Sequence, residues 1–307
     1  MSIQRILITG ASGFLGQALM EELLTRSPKS ALFSVGRKPL SRGGVQHHLC
    51  DLNQTREVKR IIAELKPNLI FHLSGLSRVS TEIAFEDYFE ANYLQTQTLL
   101  ESIESVKQEV KLLLASSVHV YGNQEEIVTE ESPVKPQSSY AFTKFLAEES
   151  LKTYSKKIPA FKGIIARLNS CIGPKQPLGF VASDLCHKLK QAISTGADTL
   201  TVGPLNANRY FVDSRDVVKV FVDLMFSKTA PELDTYNIGS LKQTPIREVL
   251  EELLKLSQAK LKIESKDSQH NNFLGLTINN SKFQKALPGF QFRTLAESLK
   301  DMWQASN

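Results

Sequence analysis

A chain of 307 residues that is 41% apolar can bury one large α/β core or two unequal lobes. A net charge of +5 with no long basic run argues against nucleic acid and leaves a mild bias toward anionic small molecules. The three cysteines (Cys50, Cys171, Cys186) include no Cys-x-x-Cys pair, and no apolar run approaches the ~18 residues of a membrane span, so the expectation is a reduced, cytoplasmic protein with no disulfide, metal or membrane partner.

Ile6-Leu7-Ile8 is a short apolar run that predicts a buried strand. It leads into Thr9-Gly10-Ala11-Ser12-Gly13-Phe14-Leu15-Gly16 and then the helical pattern Ala18, Leu19, Leu23, Leu24. Strand, glycine turn and helix together are the context of a dinucleotide fingerprint. The glycines permit a tight turn and let backbone N–H groups approach a pyrophosphate at the helix N-terminus. A second strand at residues 31–35 ends in Gly36-Arg37-Lys38-Pro39. An acidic residue here would bond the ribose 2′-OH of NAD, whereas an arginine accommodates a 2′-phosphate, so Arg37 favours NADP over NAD. The alternative for Arg37 and Lys38 is a solvated basic loop.

A third strand at residues 46–49 ends at Cys50-Asp51-Leu52, and a helix follows over 55–65. Residues 69–73 form a fourth strand, with Leu73 leading into Ser74-Gly75, small residues that let a cofactor pass the strand end. His72, inside an apolar run, is expected to be a hydrogen-bonded core histidine. A single long helix is predicted over 85–106 and a fifth strand over 110–115, which leads to Ser116-Ser117. Open α/β sheets bind ligands at the carboxyl ends of their strands, so Ser117 is placed to bond a reacting oxygen.

Ser138-Ser139 are candidate caps for a helix over 140–154 that carries Tyr140 and Lys144 four apart, on one face. Tyrosine titrates near pH 10, and trading a proton at neutral pH needs a fall of about three units, roughly 4 kcal/mol. An ammonium about 4 Å away supplies a Coulomb term of that order at an effective dielectric of about 20. A sixth strand is predicted over 161–167. The alternation predicts an α/β fold, a Rossmann-type doubly wound parallel sheet covered on both faces, over residues 1–168. Beyond it the rhythm breaks into short strands near 200–202 and 209–212, helices over 181–193, 213–226, 246–256 and 295–303, and a strand at 236–239. Residues 169–307 should form mostly a smaller lobe, with elements around 210–240 returning to the sheet.

Together these residues resemble the extended short-chain dehydrogenase/reductases, the NAD(P)-dependent epimerase/dehydratase family. The marks are Thr9-Gly10-x-x-Gly13-x-x-Gly16, Asp51-Leu52, Phe71-His72-Leu73, Asn92, Ser117 with Val120-Tyr121-Gly122, and Tyr140-x-x-x-Lys144. The resemblance implies a catalytic triad of Ser117, Tyr140 and Lys144. It implies cofactor contacts from Gly10, Ser12, Gly13, Phe14, Leu15, Gly16, Arg37, Asp51, Leu52, Leu73, Ser74, Tyr140, Lys144 and Leu168. A narrower likeness, over Ile172-Gly173-Pro174-Lys175-Gln176, residues 179–184 and 209–218, is to GDP-4-keto-6-deoxy-D-mannose reductases. It implies a nucleotide-sugar substrate, contacts from Ser117, Ser170 and Val181, and Arg209 on the diphosphate.

Two departures stand out. The family's Arg-Pro-Phe-Asn reads Arg167-Leu168-Asn169-Ser170 here, which puts Ser170 on the substrate side. A second phosphate-binding arginine is replaced by Gln269-His270-Asn271-Asn272. The leading expectation is an NADPH-dependent 4-ketoreductase of a 6-deoxy nucleotide sugar. A nucleotide-sugar epimerase with tightly held cofactor and a non-catalytic NADP sensor stay open. A 4,6-dehydratase is disfavoured, because its acid pair is Val118-His119 here. Apolar residues beyond one buried stripe (Phe89, Tyr93, Leu100 and Ile103; Phe142, Phe145, Leu146 and Leu151) predict a homodimer through the 85–106 and 140–154 helices.

Overall fold

Seven parallel strands form the centre of the molecule, and their order sets where a ligand can enter. The structure, a computed structural model, describes residues 4–106, 108–124, 126–158, 160–227, 233–265 and 276–305. In chain order the first part runs β1 (Arg5–Thr9), α1 (Phe14–Arg26), β2 (Ala31–Gly36), β3 (Val45–Leu49), α2 (Thr55–Leu65), β4 (Leu69–His72) and α3 (Phe85–Tyr88). A π-helical segment (Phe89–Leu94) joins α3 to α4 (Gln95–Val106). Then come β5 (Val110–Ser117), a 3₁₀ turn (Val118–Tyr121), α5 (Ser139–Lys157) and β6 (Phe161–Leu168). The second part runs β7 (Ser170–Ile172), α6 (Val181–Ser194), β8 (Thr199–Val202), β9 (Asn208–Arg209), β10 (Phe211–Asp213), α7 (Ser214–Phe226) and β11 (Leu233–Ile238). It closes with β12 (Thr244–Pro245), α8 (Ile246–Ser257), β13 (Lys262–Ser265), α9 (Ser281–Ala286) and α10 (Leu295–Ala305).

The sheet order is β11-β6-β5-β4-β1-β2-β3. The chain steps outward from β1 to β3, then crosses to β4 on the other side of β1. That reversal opens a crevice at the carboxyl ends of β1 and β4, the place where doubly wound sheets bind ligands. Side-chain alternation feeds both faces of the sheet. Ile6 and Ile8 pack into a cluster with α1 and α7, while Leu7 packs into another with α2, α4 and α5. Each of these fully buried aliphatic side chains contributes about 1.5–3 kcal/mol. A third cluster lies among α6, β8, α8 and α10, with Leu189, Leu253 and Leu299 fully buried.

Two details differ from the sequence expectation. The 85–106 helix is interrupted by a π segment, where one wider turn swings Asn92 inward. Leu100, Ile103 and Leu151, expected on an outer face, are fully buried under the sheet, because α4 and α5 pack side by side and bury a broader stripe than one helix alone would. The Gln269-His270-Asn271-Asn272 stretch lies outside the described residues. Among the described residues no helix is long and apolar enough to cross a membrane, and no group of three or more His, Cys, Asp or Glu could hold a metal ion.

Candidate active site

β1 ends at Thr9, and Gly10 turns the chain with φ +69°, a conformation L side chains rarely adopt. A Cβ on Gly10 would stand 2.7 Å from the Leu73 carbonyl, so the turn lies directly against the end of β4. A Cβ on Gly16 would run into the Gly10 carbonyl, which lets α1 start close under the turn. Gly13, the N-cap of α1, meets only the Gly10 oxygen, at 3.1 Å, and otherwise opens on the cavity. The first turn of α1 carries no acidic residue. Its backbone N–H groups therefore face the cavity uncompensated, a fit for a pyrophosphate.

At the end of β4, His72 is 1% exposed and sits between two hydroxyls, Thr9 at 2.7 Å and Thr96 at 2.9 Å. Burial pushes its pKa down to about 3. It is a neutral core histidine, as its apolar flanks suggest. The inward-turned Asn92 accepts from the Leu76 amide at 2.9 Å and donates to Thr143 at 3.2 Å, pinning the strand-end loop to α5. Gly75 sits between Asn92 and Lys144, and a Cβ there would strike the Asn92 amide oxygen.

α5 starts where Ser138 caps it, accepting from the Ala141 amide at 3.2 Å. Its first turns present Tyr140 and Lys144 to the cavity, both under a tenth exposed. Tyr140 shares the cavity wall with Ser117, which lies at the end of β5 and favours the ionised phenol. Burial outweighs Ser117 and pushes the phenol up to about 12. Lys144 Nζ donates to the Ala115 carbonyl at 3.0 Å, and burial lowers its pKa to about 8. The expected lowering of the tyrosine by the lysine is absent, since the ammonium is itself desolvated and turned to a backbone carbonyl.

The cavity has a volume of about 830 Å³. Its walls include Gly10, Gly13, Phe14, Leu15, Gly16, Leu73, Ser117, Tyr140, Lys144 and Leu168 from one group of sequence candidates, and Ser170, Val181 and Arg209 from the other. Ser12, Arg37, Asp51, Leu52 and Ser74 are not among its lining residues. Ser12 and Arg37 are exposed. Asp51 caps the turn at Asn53, accepting from its amide at 3.0 Å, Leu52 packs in the core beside α2, and the Ser74 hydroxyl is engaged by Gln95 at 2.6 Å. Asn169 and Ser170 both line the cavity, but the Asn169 amide is tied to the Ser240 carbonyl at 3.1 Å.

Arg209 is half-buried, which lowers its pKa, and its field acts on His119. His119 stands edge-on to Tyr140 with ring centroids 5.8 Å apart, and burial with Arg209 keeps it neutral, with a pKa of about 4. Sequence reasoning passed over Cys171, Gln176 and Phe180, which also line the cavity. Cys171 lies in the short strand β7, and Gln176 and Phe180 in the irregular connection that follows it, whose course no periodicity reports. Reasoning also passed over the buried pair of Glu148 and Arg167 beneath the site, although a glutamate four residues beyond Lys144 was a readable signal.

The model of the NAD dependent epimerase/dehydratase family matches residues 6–239. The chain belongs to this family. It is similar to the GDP-6-deoxy-D-mannose reductase of Pseudomonas aeruginosa, 30% identical over 269 residues that cover 85% of this chain and 82% of the relative. Among solved structures it is similar to MoeE5 in complex with UDP-glucuronic acid and NAD, with a TM-score of 0.85, 25% identity and 98% of both chains covered. RMD from Pseudomonas aeruginosa, complexed with NADPH, shares the fold at a TM-score of 0.82 and 24% identity over 98% of both chains. This member of the epimerase/dehydratase family is an NAD(P)-dependent oxidoreductase or epimerase.

Proposed function

We propose that the protein reduces the 4-keto group of a 6-deoxy nucleotide sugar with NADPH. One cavity carries this reading, because it brings the glycine turn, the Ser117–Tyr140 pair and the Arg209 guanidinium to the same space. The likeness to a GDP-6-deoxy-D-mannose reductase supports the choice of substrate class. Bound NADPH supplies the hydride. Tyr140, kept protonated by burial, gives its proton to the oxygen that becomes an alkoxide, and Ser117 orients that oxygen. The α1 N-terminus takes the cofactor pyrophosphate and Lys144 the ribose hydroxyls. Arg209 takes the diphosphate of the sugar nucleotide. Ser170 and Val181 flank the sugar. Arg37, exposed just beyond β2, favours NADP. Val118 packs in a buried apolar cluster with Val120 and Ile278, away from any proton exchange, which speaks against a dehydratase.

Residues 1–168 with β11 serve as the cofactor-binding part and 169–307 mostly as the substrate lobe. Three free cysteines suit a reducing cytoplasm. The test is NADPH consumption with a panel of 4-keto-6-deoxy nucleotide sugars, after thermal-shift ranking in saturating NADPH. A true substrate stabilises by about 2.7 kcal/mol at a hundred times its dissociation constant. The likeness to a UDP-glucose 4-epimerase of Mycoplasma genitalium keeps an epimerase as the second reading. A purified protein carrying stoichiometric NAD and consuming no NADPH on any keto sugar would favour it.

A further inference from the structure

Beneath the site, α5 carries a third ionisable residue on the face of Tyr140 and Lys144. Glu148 is 0% exposed and lies one helical turn beyond Lys144. Its carboxylate takes a two-pronged contact from Arg167 of β6, at 2.7 Å from Nη2 and 3.1 Å from Nε. Ser116 of β5 donates to the same carboxylate at 2.5 Å. Arg167, 2% exposed, is itself held by the Tyr121 hydroxyl at 2.8 Å, and Tyr121 donates to Asn237 of β11 at 2.7 Å. A fully buried ion pair gives little net stability compared with apolar residues of the same size. Its placement therefore calls for another role. Ser116 of β5 and Arg167 of β6 hold the carboxylate directly, and Tyr121 of the 3₁₀ turn with Asn237 of β11 hold that arginine network, one helical turn beyond the lysine.

We propose that Glu148, fixed by Arg167, is a positioning residue that keeps Lys144 charged and aligned for the cofactor ribose. The proposal rests on the cofactor reading of the cavity. The groups that face Lys144 are few. His72 of β4 is neutral, Tyr140 of α5 is a neutral phenol, Asn92 of the π segment is an amide, and Ala115 of β5 offers a carbonyl. Among the described residues, the carboxylate acting on Lys144 is Glu148, and it opposes the burial that lowers the ammonium toward neutrality. Without it, a lysine already titrating near pH 8 would lose much of its charge at neutral pH.

The test uses the full chain with three variants. Glu148→Gln removes the charge but leaves Arg167 buried and unpaired, so it can fail to fold. Glu148→Gln with Arg167→Met removes both charges and leaves no orphan. Side-chain NMR of labelled lysines reads the Lys144 pKa in protein without nucleotide, and NADPH fluorescence titrations between pH 6 and 9 read affinity. In the folded double variant the Lys144 pKa should fall by roughly one unit, and the loss of NADPH affinity with rising pH should begin about one unit lower. Glu148→Asp should restore part of the shift. A folded double variant whose Lys144 titrates as in the original chain overturns the proposal, and so does an unchanged pH dependence of NADPH binding. If the original chain does not bind NADPH or NADH at all, the cofactor reading fails instead, and the lysine titration still decides the role of Glu148.

Discussion

Tyr140 meets two opposed demands, since burial shapes the site but holds the phenol at about 12. A proton donor tolerates that, because the neutral phenol keeps its proton across the neutral range, which is the form the proposed reduction calls on. Tyr140→Phe should abolish turnover while leaving NADPH affinity within about twofold, read by fluorescence titration and steady-state rates. Arg209→Ala should weaken nucleotide-sugar binding by about 2–5 kcal/mol, the scale for removing one side of a desolvated charge pair, with NADPH binding unchanged. Loss of cofactor affinity in that variant would put the arginine in the wrong half of the cavity. His72 gives a pH prediction. Its pKa is about 3 in the fold, below its ordinary 6.5, so its contribution is present above pH 6.5 and drains away as pH falls toward 3. By pH 4 the loss should be about 3 kcal/mol, visible as falling urea midpoints, and His72→Asn should flatten that part of the curve. The glycine turn and the Tyr140–Lys144 face were legible because their spacing is local, whereas Ser117 reaches the same cavity from the end of β5. The pairing of Arg167 with Glu148 was not legible, because it joins a strand to a helix through contacts that no periodicity encodes.

At the scale of elements, α5 shows that a helix start reads well where a cap is written into the chain, while its end runs on to Lys157, past the 154 expected. Ser138 bonds the Ala141 amide, and Lys156 and Lys157 close the last turn in favour of the helix dipole. Ser138→Ala should cost about 1 kcal/mol, measured by chemical denaturation, and should lower turnover more than it lowers stability, since the cap sits two residues from Tyr140. The π segment was illegible for a related reason. Residues 85–106 keep a helical apolar pattern throughout, and a single wider turn changes which residue faces inward without breaking that pattern. Only the packing reveals that Asn92 bridges Leu76 and Thr143. The parallel strands were legible as apolar runs between glycine and proline punctuation. Their order was legible only as far as the alternation implied crossovers, and the docking of β11 beside β6 depends on contacts far apart in sequence.

For the whole molecule the open question is what covers the outer faces of the α3–α4 segment and α5. Burial of Leu100, Ile103 and Leu151 removes three residues from the face that the sequence offered. An aromatic ladder is left. Phe85 stacks on Phe89 at 5.6 Å, Phe89 meets Tyr93 at 4.9 Å, and Phe85 reaches across to Phe142 of α5 at 6.3 Å. Phe85 and Phe142 are each 41% exposed, and Leu94 is 39% exposed. An apolar patch that joins two helices marks an interaction surface more readily than scattered exposed residues do. The two helices lie side by side, so a two-fold axis through the patch would pair them with their copies in a four-helix layer, an isologous contact that closes on itself. Such a layer would brace α5 from outside while the sheet braces it from within, holding Tyr140 and Lys144 between them. The expected result is a species near twice the 34.3 kDa chain mass in sedimentation at micromolar concentration. Phe142→Glu should shift it toward the single chain, because a charge on the axis would face its own copy. A single-chain mass for the unmodified protein would leave the ladder in water and remove the dimer.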